Sequence, residues 1–155
     1  MKLQILTKNL LPNEVEWRIH SVTKDKSKSI VVPYIQRLCV FNRFDEEFGH
    51  DKWSLDVERV LPIVTGYQNG NIIHSHAGAK CTISVLIGGE WVSKSDFGSD
   101  SASDALKGAA SDSMKRASTL WGLGRCLYNY PKISIKGDHK YIPYSVRDRL
   151  DNMVL

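Results

Sequence analysis

Small and apolar residues recur every three or four positions over residues 105–121, which is the spacing of one buried face of an α-helix. The positions are Ala105, Leu106, Ala109, Ala110, Met114, Ala117, Leu120 and Trp121. Side chains that can cap a helix start precede them: Ser99, Asp100, Ser101, Ser103 and Asp104. Because alanine fills little space, the pattern predicts a helix that lies very close to something flat.

Upstream of this helix, apolar and polar residues alternate in several segments, which predicts half-buried strands. These strands are expected over residues 15–22, 30–32, 53–61, 72–87 and 90–97. Asn69-Gly70 and Gly88-Gly89 indicate tight turns. Helical spacing returns from Pro33, so a second helix is expected to begin there and to end at Gly49. Two short helices are expected over residues 3–11, before Pro12, and over residues 144–153.

The order of these elements predicts an α+β fold, in which an antiparallel meander carries helices on one face. The chain has 155 residues, of which 42% are hydrophobic and 25% charged, enough for one core. The net charge of +4 and the pI near 9.0 are compatible with a polyanionic partner but do not require one. Cys39, Cys81 and Cys126 are widely spaced and are expected to be reduced core residues.

The sequence supports no catalytic or metal site, and we expect no cofactor. His74 and His76 point the same way on a predicted strand, but no third ligand lies nearby in sequence. Gly122 and Gly124 follow a helix rather than a strand, so they do not form a nucleotide-binding loop. Without a long apolar run or a signal-peptide cleavage site, we expect a protein of the cytosol or nucleoid, not of a membrane.

The polar face of the predicted long helix carries a compact group of cations. Lys107, Ser111 and Lys115 are successive i, i+4 neighbours, Arg116 sits beside them, and Asp112 can reach Arg116 one turn on. Such a face is either plain solvated helix surface or a means of presenting charge to an anionic ligand.

The same segment resembles the signature of the Rad52 superfamily of single-strand DNA annealing proteins, in its DdrA-like and phage branch. The resemblance rests on KGAASDSMKRA at 107–117 and on WGLGRCLY at 121–128. It extends upstream to YI at 34–35, FN at 41–42, EFG at 47–49 and Trp53. In all it covers residues 14–131, most of the chain.

The resemblance implies an ATP-independent protein that binds single-stranded DNA and anneals complementary strands in recombination and double-strand break repair. It implies that Lys115 and Arg116 line the DNA groove, and it places further groove positions at Lys107, Ser111, Arg18 and Tyr34. Tyr34 could equally be a core residue. Arg37 and Lys80 are cations that could add to the groove.

By the same resemblance the working form is a homo-oligomeric ring or helical filament, in the cytoplasm or nucleoid of a bacterium or a phage-infected host. Residues 1–132 are expected to be the binding, annealing and oligomerisation domain, and residues 133–155 a basic extension with a short helix. Tails of such proteins often recruit a recombinase or a single-strand-binding protein. With about 24 residues after Pro131, we expect such recruitment to be absent or compact.

Two other classes of function remain open at this stage. A metal-dependent nuclease would need a carboxylate cluster, for which Asp56 and Glu58 are the same-strand pair that we would suspect. A structural assembly subunit would carry its cations incidentally.

Overall fold

The computed structural model describes residues 3–101 and 104–154 and confirms the α+β fold class. Ser103, one of the predicted capping residues, lies outside the described residues. The α-helices are α1 (Gln4–Thr7), α2 (Arg37–Phe48), α3 (Ala105–Leu120) and α4 (Tyr144–Asp151), and 3-10 turns span Pro12–Glu14 and Arg125–Asn129. The strands are β1 (Val15–Val22), β2 (Lys28–Ile35), β3 (Trp53–Val60), β4 (Val64–Gln68), β5 (Asn71–His74), β6 (Gly78–Ile87), β7 (Glu90–Ser99) and β8 (Ile133–Lys136). None of the described helices is long and apolar enough to span a bilayer.

Antiparallel pairing organises the described strands into two three-stranded sheets and a separate hairpin. The first sheet has the order β3-β6-β7 and the second the order β1-β2-β8, while β4 and β5 pair only with each other. Both predicted tight turns are confirmed. Gly88 and Gly89 have φ angles of 60° and 89°, and Asn69 and Gly70 have 51° and 79°. Positive φ at both central residues is what a two-residue hairpin turn requires.

Helix α3 lies on the β3-β6-β7 sheet at very short distance, as its alanines predict. Ala109 and Ala117 are fully buried. Gly98 of β7 marks the closest approach, because a Cβ there would lie 2.4 Å from the backbone nitrogen of Ser113. At Gly98 there is no room for a side chain between β7 and α3.

The prediction of the buried face was wrong in two ways. Ala105, Leu106 and Leu120 are exposed, whereas Ser113 and Ser118 are fully buried. The hydroxyls of Ser113 and Ser118 donate to carbonyl oxygens within α3, at 3.1 Å and 2.7 Å, so their burial leaves no unpaired group. The contact therefore selects for small size rather than for hydrophobicity, and the leucines lie outside it. Cys126 is also exposed, while Cys39 and Cys81 are buried as expected.

Substitution of Gly98 tests the helix-to-sheet contact. Gly98→Ala is expected to lower the free energy of unfolding by about 1 to 3 kcal/mol, because the added methyl group overpacks against backbone atoms that cannot move aside. Urea unfolding followed by circular dichroism measures the change. Gly66→Ala is the matched control, since a Cβ on Gly66 meets nothing within 4 Å. Equal stability of the two variants would contradict the close contact.

The boundary between β2 and α2 differs from the prediction. β2 continues through Pro33 to Ile35, and α2 begins only at Arg37, with Gln36 in an extended conformation. The β8 ladder on β2 ends at Val31, so on that side the missing N–H of Pro33 interrupts no hydrogen bond. Gly49 ends α2 as predicted, with φ 85°.

Two other element predictions were too long. The strand expected over residues 72–87 is divided into β5 and β6. The first helix is reduced to the single turn of α1.

The apolar core forms two clusters among the described residues. The larger one joins α1, α2, α3 and the β3-β6-β7 sheet, with Val40, Phe44, Ile83 and Leu123 fully buried. The smaller one consists of Val31, Ile133 and Leu150 with their partly buried neighbours. Through it, β8 and α4 pack on β2, and so the segment after residue 132 is in contact with the rest of the chain.

A buried arginine ties the N-terminal segment to α2. The Arg43 guanidinium is 2% exposed and forms two hydrogen bonds with the Glu14 carboxylate, at 2.7 Å and 2.5 Å. It also donates to the backbone oxygens of Ile5 and Asn9. The Arg43 hydrogen bond holds the pKa of Glu14 below its usual value. One side chain thus fixes three points along residues 5–14.

Candidate nucleic-acid interface

Three of the predicted site residues meet between α3 and the β1-β2 edge of the second sheet. Arg18 of β1 lies with its guanidinium 5.9 Å from the ring centre of Tyr34 on β2. Arg18 Nη2 donates to Glu16 Oε2 at 2.8 Å, and Lys115 Nζ of α3 lies 4.0 Å from the same oxygen. We call Glu16, Arg18, Tyr34 and Lys115 the β1-α3 cluster. Glu16 was not among the predicted site residues. It lies two residues before Arg18 on β1, so both side chains are on the same face of the strand.

The β1-α3 cluster holds two cations close together, one of them largely buried. The Lys115 side chain is only 13% exposed. Burial lowers the pKa of Lys115, and the positive charge of Arg18 lowers it further, against the opposing effect of Glu16 and Asp112. The hydrogen bond to Glu16 raises the pKa of Arg18. Arg18 and Lys115 therefore share the Glu16 carboxylate, Asp112 adds a second negative charge that acts on Lys115, and the lysine is held partly out of water.

Tyr34 is a half-buried member of this cluster rather than a core residue. Burial raises the pKa of the Tyr34 hydroxyl, with a further contribution from the negative charge of Asp112. Its ring supports the Arg18 guanidinium from below, which fixes the direction of that cation.

Arg116 lies on the other side of α3. Its Nη2 atom is 3.5 Å from Asp96 Oδ1 on β7, and Asp96, not Asp112, is the ion-pair partner. Successive residues of a helix point about 100° apart. Lys115 therefore faces β1 while Arg116 faces β7, so the described chain does not bring the two motif cations together on one face.

Lys107, Ser111 and Arg37 line a separate hollow of about 300 Å³. It lies between the first turns of α3, the start of α2 and strand β3, and its apolar lining includes Leu55 and Val57. Lys107 and Ser111 thus share a face, as the helical spacing predicts, but Lys115 is not part of that lining.

Lys80 lies on the opposite face of the β3-β6-β7 sheet from α3. Its neighbours Ala79 and Cys81 are buried under the helix, and Lys80 Nζ pairs instead with Glu58 Oε2 at 3.6 Å. The sheet therefore separates Lys80 from the β1-α3 cluster. Glu58, one of the two carboxylates considered for a nuclease, is occupied by this ion pair.

Two further cations close the end of α3. Lys94 Nζ donates to the Leu120 oxygen at 2.9 Å and lies 4.4 Å from the ring centre of Trp121. Arg125 Nη2 donates to the Thr119 oxygen at 2.7 Å. Cations at a helix C-terminus satisfy its free carbonyl groups and its dipole. The arginine of the WGLGR segment therefore has a structural task.

No metal site is evident in the part of the chain that the structure describes, since no three His, Cys, Asp or Glu side chains lie close enough to share an ion.

Residues 2–144 match a family model described as Rad52/22 family double-strand break repair protein. The chain belongs to the Rad52/22 family. The resemblance carried by residues 107–128 is thus confirmed.

Two curated relatives of this Rad52/22 family chain are both named single-stranded DNA-binding protein DdrA. The one from Deinococcus deserti is 33% identical over 142 residues, which cover 85% of this chain and 61% of the relative. The one from Deinococcus radiodurans is 28% identical over 138 residues, which cover 85% of this chain and 59% of the relative. The chain therefore spans about three fifths of the length of these relatives.

Proposed function

We propose that this Rad52/22 family chain binds single-stranded DNA by its sugar-phosphate backbone and anneals complementary strands in recombination and double-strand break repair. The observation that carries the proposal is the β1-α3 cluster, in which Arg18 and Lys115 share the single carboxylate of Glu16. The names of the two DdrA relatives support DNA as the ligand. The proposed DNA contacts in the cluster are Arg18, Tyr34 and Lys115. Five predicted contacts lie on other surfaces of the chain and come second in testing: Arg116, Lys107, Ser111, Arg37 and Lys80.

The arrangement of the cluster suits a phosphate group. A phosphate between Arg18 and Lys115 would place negative charge against both cations at once, and it would relieve the cost of burying the lysine ammonium. Contacts to phosphate carry no sequence preference and leave base edges free to pair. Each stacked base-pair step then contributes on the order of 1.4 kcal/mol, so annealing needs no ATP and no catalytic residue.

Self-association is part of the same proposal. One chain offers few cations, whereas a ring or filament of identical subunits would join their contacts into a continuous path and multiply the affinity. The β4-β5 hairpin supports this, because Val64, Tyr67 and Ile72 are exposed on a two-stranded element that no described helix covers. We assign annealing and assembly to residues 1–132 and any recruitment of a recombinase or a single-strand-binding protein to residues 133–155.

The test is annealing of complementary oligonucleotides in the cytoplasmic range of salt, without ATP and with a metal chelator present. We expect annealing and a binding affinity that falls steeply as salt rises. Absence of single-stranded DNA binding would overturn the proposal, and cleavage that appears only when metal is added would favour the nuclease instead. Measuring the molecular mass of the protein with and without DNA shows whether the chains assemble.

The lowered pKa of Lys115 predicts a dependence of DNA affinity on pH. Phosphate favours the ammonium form, so binding takes up a proton wherever free Lys115 is neutral. Affinity should therefore fall as pH rises through the lowered pKa, before an ordinary lysine titrates near about 10.4. Anisotropy with oligodeoxyadenosine, whose bases do not titrate in alkali, measures this.

Lys115→Arg is the control for this pH effect, because a guanidinium stays charged over the whole range. The variant should bind with a flat pH profile. Identical profiles for the wild type and Lys115→Arg would show that Lys115 is not the titrating contact.

A further inference from the structure

A larger hollow, of about 570 Å³, lies between the outer edge of β1 and the C-terminal segment. One wall consists of five successive β1 residues, Val15, Glu16, Trp17, Arg18 and Ile19. The other wall includes Lys140, Tyr141, Ile142, Arg147, Leu150 and Asp151. Its volume falls in the range of about 300 to 1,000 Å³ that is usual for ligand sites. We call it the β1-α4 groove.

Positive charge predominates among the side chains of the β1-α4 groove. Arg18, Lys140 and Arg147 contribute three cations, against the two carboxylates of Glu16 and Asp151. Within residues 3–101 and 104–154, neither Lys140 nor Arg147 forms an ion pair, and both are exposed. These two cations are therefore free to meet an anion from solution.

The groove also offers an exposed aromatic ring. Tyr141 is 72% exposed, and Lys140 Nζ lies 5.5 Å from its ring centre. An exposed ring beside cations is the combination with which proteins hold single-stranded nucleic acid, by base stacking and phosphate contact together.

Arg18 connects this groove with the β1-α3 cluster. The same side chain lies against Tyr34 and Glu16 and also lines the β1-α4 groove. A strand held at the β1-α3 cluster can therefore continue over the edge of β1 toward α4 without leaving positively charged surface.

We propose that the β1-α4 groove is a second contact for the bound single strand, where Lys140 and Arg147 hold phosphate and Tyr141 stacks on a base. This inference rests on the proposed function and specifies where the strand runs beyond the cluster. It also gives the segment after residue 132 a direct part in DNA binding. The alternative occupant is an acidic peptide paired to the free edge of β1, and the test distinguishes the two.

The decisive variant is Lys140→Ala with Arg147→Ala, compared with Lys24→Ala with Lys52→Ala as the control of equal charge. Lys24 and Lys52 are exposed and line neither groove. Binding is measured by anisotropy over a salt series with oligodeoxythymidines of about 30 and about 6 nucleotides, the latter close to one small site. Melting curves establish that all variants are folded.

We expect the groove variant to lose two phosphate contacts on the long oligonucleotide. The slope of log affinity against log salt should become shallower by about 1.4, which is about 25-fold weaker binding at 0.1 M salt relative to 1 M. The short oligonucleotide, bound at the β1-α3 cluster, and the charge control should change little. An oligonucleotide carrying 5-iododeoxyuridine should crosslink to Tyr141 on illumination, and Tyr141→Ala should abolish that crosslink.

Three outcomes separate the claims. Failure of the wild type to bind either oligonucleotide overturns the proposed function and this inference together. Wild-type binding that Lys115→Ala weakens while the groove variant matches its charge control overturns only the second contact. Wild-type DNA binding with no crosslink at Tyr141, together with binding of an acidic peptide that weakens in the groove variant and leaves the affinity for the long oligonucleotide unchanged, assigns the groove to peptide.

Discussion

Removal of both cations from the β1-α3 cluster is expected to weaken single-stranded DNA binding about 25-fold at 0.1 M salt. The variant is Arg18→Ala with Lys115→Ala, and anisotropy over a salt series measures it. The loss follows from two phosphate contacts, each of which contributes about 0.7 to the slope of log affinity against log salt for single strands. Binding at 1 M salt, where this electrostatic contribution vanishes, should be nearly unchanged.

Glu16→Gln provides a control of opposite sign. Its carboxylate competes with phosphate for Arg18 and Lys115, so its removal should tighten binding by up to about fivefold, the equivalent of an ion pair of about 1 kcal/mol. The effect of Arg116→Ala on DNA affinity should differ from that of the double variant, because Arg116 faces Asp96 and not the β1-α3 cluster. Weaker binding in Glu16→Gln would contradict the role of the cluster.

Arg43→Met is expected to lower the free energy of unfolding by about 3 to 5 kcal/mol, because it leaves the Glu14 carboxylate and two backbone oxygens without their partner. Glu14 is itself only 16% exposed. Urea unfolding measures the loss, and hydrogen exchange should locate its first effect in residues 5–14. Lys8→Ala, which breaks the exposed pair with Glu46, is the matched control and should cost about 0 to 1 kcal/mol.

The pH dependence of stability provides a second measurement of this pair. The pKa of Glu14 is lowered in the folded chain. Its contribution to the free energy of unfolding is therefore fully present above the unfolded-state pKa and is lost as pH falls through the folded-state pKa.

The double variant Arg43→Met with Glu14→Gln should recover part of the stability lost in Arg43→Met, since no charge is then left unpaired. A double variant less stable than Arg43→Met would exclude the ion pair as the cause.

Local periodicity was sufficient for most of the regular structure. β1 was predicted at its observed bounds, and the end of α2 at Gly49 and both tight turns were also correct. These features depend on neighbours in sequence: alternation in a strand, and positive φ at glycine or asparagine. The alanine spacing of α3 likewise predicted a close contact with a flat surface.

What local periodicity could not supply was distance between elements. Nothing in the sequence shows that β7 approaches α3 at Gly98. The predicted buried face therefore included Leu106 and Leu120, which are exposed, and left out the two buried serines. Nor does the sequence show which strands lie beside α3, with β1 next to Lys115 and Asp96 of β7 next to Arg116. Arg43 has the sequence context of a solvated residue on an amphipathic helix, because its partners lie about thirty residues away.

The site could be predicted in its residue types and only partly in its geometry. Arg18, Tyr34 and Lys115 come together as the family resemblance implies, from elements that are far apart in sequence. Lys80 was proposed from its charge alone, and the alternation of β6 turns it to the other face of the sheet. The face on which a strand residue lies depends on strand register, and the neighbour that a helix residue meets depends on how the helix is rotated against the sheet. Both require the paired strands to be known first.

The closure of α3 by Lys94 and Arg125 has a consequence for comparisons among relatives. These two cations raise the isoelectric point of the chain, yet both are directed at carbonyl oxygens of its own backbone. A homologue with neutral groups at the end of this helix would have a lower isoelectric point and could still bind single-stranded DNA equally well. Under the proposed function, ranking such homologues by overall basicity would therefore misjudge their affinity for DNA, whereas counting the cations of the β1-α3 cluster and the β1-α4 groove would not.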